Sequence, residues 1–306
     1  MKLLLAIFVV FSFCGCQQQS EAPAAEKASA AKEAHETKDN PAPVEVTKSV
    51  EPHRIVTVPG NVTETVFALG MGEYIVGACA SSRYPDAVEA IPKVGYRSNL
   101  NAEGVLSLAP TMLIVTDEAG PEDVISQIRE AGVRVEVVAS ERSLDGAVQR
   151  ISDVGVLLNK KNEADGLVEK IEQDMALVAN SDDGSSAKPK VLFIYVARNT
   201  SMVAGSGTAA EAMIGLAGGI NAVSSFKEFK PINPEAIVEA NPDFILLDHS
   251  GLKSLGGMEG ALKLPGVAET TAGQKQQIIA MDKTLLLGFG PRLSEGATEL
   301  ARLINK

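Results

Sequence analysis

The chain has 306 residues, 45% of them hydrophobic, enough for one large domain or two modest ones with their own cores. A net charge of −11 excludes phosphate-backbone binding as a main activity, because that needs clustered Lys and Arg. Aromatic residues make up only 4%, tryptophan is absent, and the four tyrosines (Tyr74, Tyr84, Tyr96, Tyr195) are few enough to weigh one by one.

Lys2 precedes an apolar run, Leu3 to Phe13, too short to cross a bilayer as a permanent anchor. Ser12-Phe13-Cys14-Gly15-Cys16 then resembles a bacterial lipoprotein signal over residues 1–16, in which cleavage after Gly15 leaves Cys16 to be acylated. Phe13 departs from the leucine usual in such signals, and a plain secretory signal would equally export the chain. A covalent lipid anchors a protein to a membrane face without spanning it. With Cys14 removed and Cys16 lipidated, Cys79 is left without a disulfide partner and reads as a small buried hydrophobe. Residues 17–50 are rich in Ala, Glu, Lys and Pro and carry no aromatic side chain. That composition cannot offset its ordering entropy, so the stretch reads as a disordered tether spanning on the order of 30 Å.

The folded body is expected to start with a strand at 54–58. Pro59-Gly60-Asn61 then turns into a helix at 62–69, with Asn61 as N-cap and Glu64 as its reciprocal partner. Further on, Gly95 lets the backbone bend just before Tyr96 and Arg97, Asn101 caps a short helix stopped by Pro110, and 112–115 is a buried strand. A Tyr-Arg pair on a loop held by a packed helix and strand is a natural binding position.

The second half repeats this plan. A strand at 191–196 leads through Gly207-Thr208 into a helix with Glu211 three residues past the cap. Then Phe229-Lys230-Pro231-Ile232-Asn233-Pro234-Glu235 precedes a strand at 244–247, so that Tyr96 falls on Phe229, Arg97 on Lys230 and Glu103 on Glu235. Between the halves run a helix at 144–158 and a longer one at 161–180, with Leu167, Val168, Ile171, Met175 and Val178 at helical spacing, followed by a polar loop at 181–186. The expected fold is therefore α/β: an N-terminal lobe at 51–160, an inter-lobe helix region at 161–186 and a C-terminal lobe at 187–306. Parallel sheets flanked by helices form each lobe, and the ligand cleft lies between the lobes at the carboxyl ends of the strands.

Several ordered motifs carry a resemblance: Ser82-Arg83-Tyr84-Pro85, Val94-Gly95-Tyr96, Asn101 through Leu108, Ala204-Gly205-Ser206-Gly207-Thr208, Gly251 through Gly257, and Leu287-Gly288-Phe289-Gly290-Pro291-Arg292. Together they are similar to the HmuT-type hemin-binding lipoproteins of bacterial ABC importers, within a larger group that also carries cobalamin and iron–siderophores. The resemblance implies haem as the transported ligand, an extracytoplasmic lipid-anchored location, and ABC membrane subunits as partners. It also implies Tyr96 as a ligand of ferric haem, since a phenolate is a hard oxygen donor suited to Fe(III). A phenol ordinarily ionises near pH 10, so ligation needs the metal's charge and a nearby cation such as Arg97. In the family that arginine often stands one residue later, where this chain has Ser98, which puts the role of Arg97 in question. His249 is the candidate second axial ligand, set against a loop histidine with no metal role. Arg83, Phe229 and Lys230 are candidate pocket or propionate contacts. Glu103 and Glu235 resemble the paired glutamates that dock on the transporter, set against first-turn residues that stabilise their own helices.

Enzyme signatures are missing: there is no Gly-x-Ser-x-Gly, His-Glu-x-x-His or Cys-x-x-Cys. Gly205 to Ala210 matches a loose dinucleotide fingerprint, but no acid ends a strand about twenty residues later. The expectation is a binding protein rather than an enzyme, with a siderophore or cobalamin as the alternative cargo.

Overall fold

In a computed structural model, residues 53–180, 187–197 and 200–305 are described. The residues read as signal, lipidation site Cys16 and tether, and the polar loop at 181–186, lie outside them. Four parallel strands build the N-terminal sheet, in the order Ile75–Ala78, Ile55–Thr57, Met112–Thr116, Arg134–Val138. The C-terminal sheet is centred on Lys190–Ala197, which runs parallel to Phe244–Asp248, itself parallel to Ile278–Met281. Its other side departs from the all-parallel expectation. Thr200–Ala204 folds back antiparallel on Lys190–Ala197, and Phe229–Pro231 adds antiparallel to it. Thr200–Ala204 is too short and too mixed in composition to register as a strand on its own pattern, and pairing with its neighbour is what fixes it.

Helix Leu144–Leu157 and the twenty-residue helix Lys161–Asn180 lie where apolar periodicity puts them. The central strands are buried on both faces, and alternate residues divide between two apolar clusters. Ile55, Met112 and Ile114 join Val191, Phe193, Phe244 and Leu246 in one cluster shared by both lobes, together with Ile151 and Ile171 of the two helices. Val56, Leu113 and Val115 point instead into a cluster private to the N-terminal lobe. Leu192, Ile194, Ile245 and Leu247 fill a separate one in the C-terminal lobe. The shared cluster joins the lobes through packed side chains rather than an open hinge, and such interiors resist deformation.

Two expected caps come out differently. Asn101 behaves as read, accepting from the Gly104 N–H at 2.7 Å, and Asn233 does the same in the second lobe, accepting from the Ala236 N–H at 3.0 Å. The first helix, however, is Gly60–Ala68 with Pro59 at its N-cap and no side-chain cap bond. The chain turns helical as soon as it leaves Pro59, so Asn61 is already inside the helix and Glu64 faces inward to a different partner.

Candidate functional site

A cavity of about 660 Å³ opens between the lobes, at the carboxyl ends of the central strands. That is inside the range of about 300–1,000 Å³ typical of small-molecule sites. Tyr96, Arg97, Arg83 and His249 all line it, and so do Glu118, Arg142, Asp248 and Lys283, which were not singled out from the sequence.

Tyr96 sits on a two-residue strand, Gly95–Tyr96, paired antiparallel with Asn99–Leu100. Gly95 has φ +104°, and a Cβ there would stand 2.7 Å from the Asn99 carbonyl oxygen, so this turn requires glycine. The backbone is pinned on both sides: the Ala80 N–H donates to the Gly95 carbonyl at 2.8 Å, and the Gly120 N–H donates to that of Arg97 at 2.8 Å. The tyrosine side chain is nonetheless 59% exposed. A fixed backbone that presents an exposed phenol to a cleft is an arrangement for contact rather than for core packing.

Beside it, Arg97 Nε lies 3.1 Å from a Glu118 carboxylate oxygen. Arg142 Nη2 donates to both oxygens of the same carboxylate, at 2.7 and 2.8 Å. Two guanidinium groups share one anion, so this wall keeps one net positive charge; exposed Arg83 beside it is paired with Glu89 at 3.5 Å. The chain as a whole is strongly acidic, so the cationic wall is a local feature suited to an anionic ligand.

The opposite wall comes from the C-terminal lobe. Asp248 ends its strand and N-caps the helix His249–Ser254: its Oδ1 accepts from Gly251 N at 3.0 Å and from the Ser250 hydroxyl. That places exposed His249 in the first turn, on the cavity surface. Lys283 Nζ donates to the Tyr195 hydroxyl at 3.0 Å and lies 4.5 Å from the ring centroid. Asp282 caps the helix Lys283–Leu287, accepting from Thr284 N and Leu285 N at 2.8 and 3.0 Å. Burial alone would raise its carboxyl, but these bonds and one from the Thr284 hydroxyl hold it below the usual carboxylate range.

At the base, two arginines tie the lobes together. Arg292 donates from Nε and Nη2 to the two Glu64 oxygens, at 3.1 and 3.0 Å, and its guanidinium lies 3.5 Å over the Tyr84 ring. Burial pushes the Glu64 carboxyl above its ordinary value against the pull of Arg292. Arg150, only 1% exposed, donates to the Ala139 carbonyl at 2.8 Å and to the Phe289 carbonyl across the lobe boundary. Burial lowers its pKa to about 10. Sequence periodicity places Arg150 on a helix but gives no sign that its face is buried. Glu118 and Arg142 are 24 residues apart and meet only because parallel neighbouring strands end side by side.

Phe229 and Lys230 are not among the residues lining the cavity. They lie on the added antiparallel strand, where the Phe229 ring packs edge-on to Tyr195 and Phe193 with centroids 6.0 and 6.4 Å away. Lys230 Nζ stands 4.9 Å from the Phe226 centroid. Glu103 and Glu235 are exposed in the first turns of their helices, away from the cavity. His53 lies edge-on to Tyr74, also off the cleft.

Residues 55–285 match the pattern of the periplasmic binding protein family. The chain belongs to that family. This periplasmic binding protein is 30% identical to the uncharacterized ABC transporter substrate-binding lipoprotein YvrC of Bacillus subtilis (strain 168), over 98% of this chain and 95% of that one. It is 26% identical to a cobalamin-binding protein of Halobacterium salinarum, over 84% of this chain and 70% of that one. Among solved structures it is similar to the apo form of the periplasmic heme-binding protein RhuT from Roseiflexus sp. RS-1. There the TM-score is 0.78 and the identity 41%, over 82% of this chain and 97% of that one. The two-lobed α/β fold read from the sequence is therefore the family's fold.

Proposed function

We propose that this periplasmic binding protein captures haem outside the cytoplasm and hands it to an ABC import permease, held to the membrane through a lipid on Cys16. The observation that carries the reading is Tyr96: a rigidly mounted phenol, 59% exposed, facing a cleft whose same wall bears Arg83, Arg97 and Arg142. A phenolate oxygen suits ferric iron, and guanidinium groups suit the propionates of the same molecule. In this reading Arg97 and Arg142, already sharing Glu118, take the propionates, and His249 across the cleft is the candidate for the opposite axial position. Likeness to RhuT, a heme-binding protein, supports the choice of cargo.

Glu103 and Glu235 are assigned to permease docking. They occupy first-turn positions of two short helices whose N-cap backbones nearly coincide, φ −120° and ψ 116° at Asn101 against φ −123° and ψ 114° at Asn233. Two carboxylates on matched mounts can set the orientation of a docked partner.

A corrinoid cargo is the second reading, favoured by the cobalamin-binding relative. Titration of the purified protein with hemin, followed by visible absorption and by competition with cyanocobalamin, separates the two. A haem carrier saturates with an iron–phenolate band that cyanocobalamin does not displace. A corrinoid carrier leaves hemin with its free spectrum.

A further inference from the structure

Four arginine and lysine side chains line the cavity: Arg83, Arg97, Arg142 and Lys283. Each arginine already faces a carboxylate, Arg97 and Arg142 sharing Glu118 and Arg83 pairing with Glu89. Lys283 differs, for it makes no ion pair among the described residues. Its ammonium meets Tyr195 instead, donating to the hydroxyl at 3.0 Å and lying 4.5 Å from the ring centroid. Asp282, its neighbour in sequence, is committed to the amides of Thr284 and Leu285.

The helix that carries Lys283 gains nothing from a cation there. Lys283 is the first residue of Lys283–Leu287, where positive charge opposes the helix dipole. What steadies the exposed side chain is a set of rings: the Tyr195 ring stands edge-on to Phe229, and Phe229 edge-on to buried Phe193. A lysine ammonium has three N–H donors, and Tyr195 takes one, so two remain for a ligand. Holding the tip in advance also lessens the entropy lost when a ligand immobilises it.

Charge balance says what those donors meet. Arg97 and Arg142 together with Glu118 leave one net positive charge on the N-terminal wall, whereas haem brings two propionates. We propose that Lys283, positioned by Tyr195, is the C-terminal lobe's anchor for a ligand carboxylate. The inference rests on the reading of the cleft as a haem site and adds a specificity determinant to it. An ammonium at this place favours a porphyrin with acidic side chains over a macrocycle whose edge carries only neutral amides or esters.

Hemin and its dimethyl ester, titrated into the unsubstituted protein and into Lys283→Met, test it. Methionine keeps an unbranched stem beside Tyr195 and removes the charge. The substitution should weaken hemin about tenfold, the factor for one hydrogen bond between charged partners, and leave the ester's affinity unchanged. Lys283→Arg should hold hemin close to the original affinity. An iron–phenolate band at saturation in Lys283→Met would show that the loss is not a disturbed Tyr96. Undiminished hemin affinity in Lys283→Met, or an equal loss for hemin and ester, overturns the anchor. If hemin gives the unsubstituted protein no iron–phenolate band at all, the haem reading falls, and the anchor with it.

Discussion

The two lobes follow one plan and use it differently. Each runs strand, helix, loop, asparagine-capped short helix and strand, and the caps Asn101 and Asn233 agree within a few degrees. At the position just before them, one lobe presents Tyr96 to the cleft and the other packs Phe229 against Phe193 and Tyr195. The cause lies in the sheets. The N-terminal one is wholly parallel and leaves the Tyr96 turn free at its carboxyl end, whereas the C-terminal one adds antiparallel strands, the outermost holding Phe229. Duplicated architecture thus supplies the frame, and the local pairing decides which copy carries the chemistry.

The strongest way to break the comparison is to unfasten the lobes. Arg292→Met strands the buried Glu64 carboxylate and should cost about 3–5 kcal/mol of unfolding free energy in urea, since one partner of a buried pair is lost. Adding Glu64→Gln should recover most of it. Because burial raises the Glu64 carboxyl, it takes up a proton at a higher pH in the folded state than in the unfolded chain. The Arg292→Met deficit should accordingly shrink as the pH falls and the stranded group takes up a proton.

A smaller effect isolates the Tyr96 mount. Gly95→Ala forces a side chain into φ +104° against the Asn99 carbonyl, and about 1–3 kcal/mol of strain should appear in thermal or urea unfolding. Hemin affinity should fall with it.

The matched caps sharpen the comparison further. Asn101→Ala and Asn233→Ala should each cost about 1 kcal/mol, and by similar amounts, because the geometry is the same. A difference much larger than that would mean the lobes are not equivalent even where they look alike.

The smallest effect belongs to pH. Asp282 is held below the ordinary carboxylate range, so its contribution is complete above the unfolded value of about 3.9 and is lost as the pH drops through the folded one. Hydrogen exchange at the amides of Thr284 and Leu285 should stay slow at pH 5 and quicken only in stronger acid.

Much of the frame could be read in advance because it rests on local signals. The helix at 161–180 shows helical periodicity over its whole length, and asparagine three residues before a free N–H announces a cap wherever it occurs. The Asn61–Glu64 cap looked the same in sequence but gave way to a tertiary partner, Arg292, 228 residues away. In the cleft, scarcity marks Tyr96, and a place just after the carboxyl end of a strand marks His249. Glu118, Arg142 and Asp248 were invisible because strand ends that lie far apart along the chain bring them together. Analogy with Tyr96 and Arg97 puts Phe229 and Lys230 at the pocket, but the antiparallel pairing that holds their strand leaves no trace in the sequence pattern.

The reciprocal exchange at the two equivalent positions tests the central claim most directly. Hemin added to Tyr96→Phe should give no iron–phenolate absorption and much weaker binding, and adding Phe229→Tyr to that variant should restore neither. An iron–phenolate band that persists in Tyr96→Phe, or that returns with a tyrosine at 229, would contradict the account.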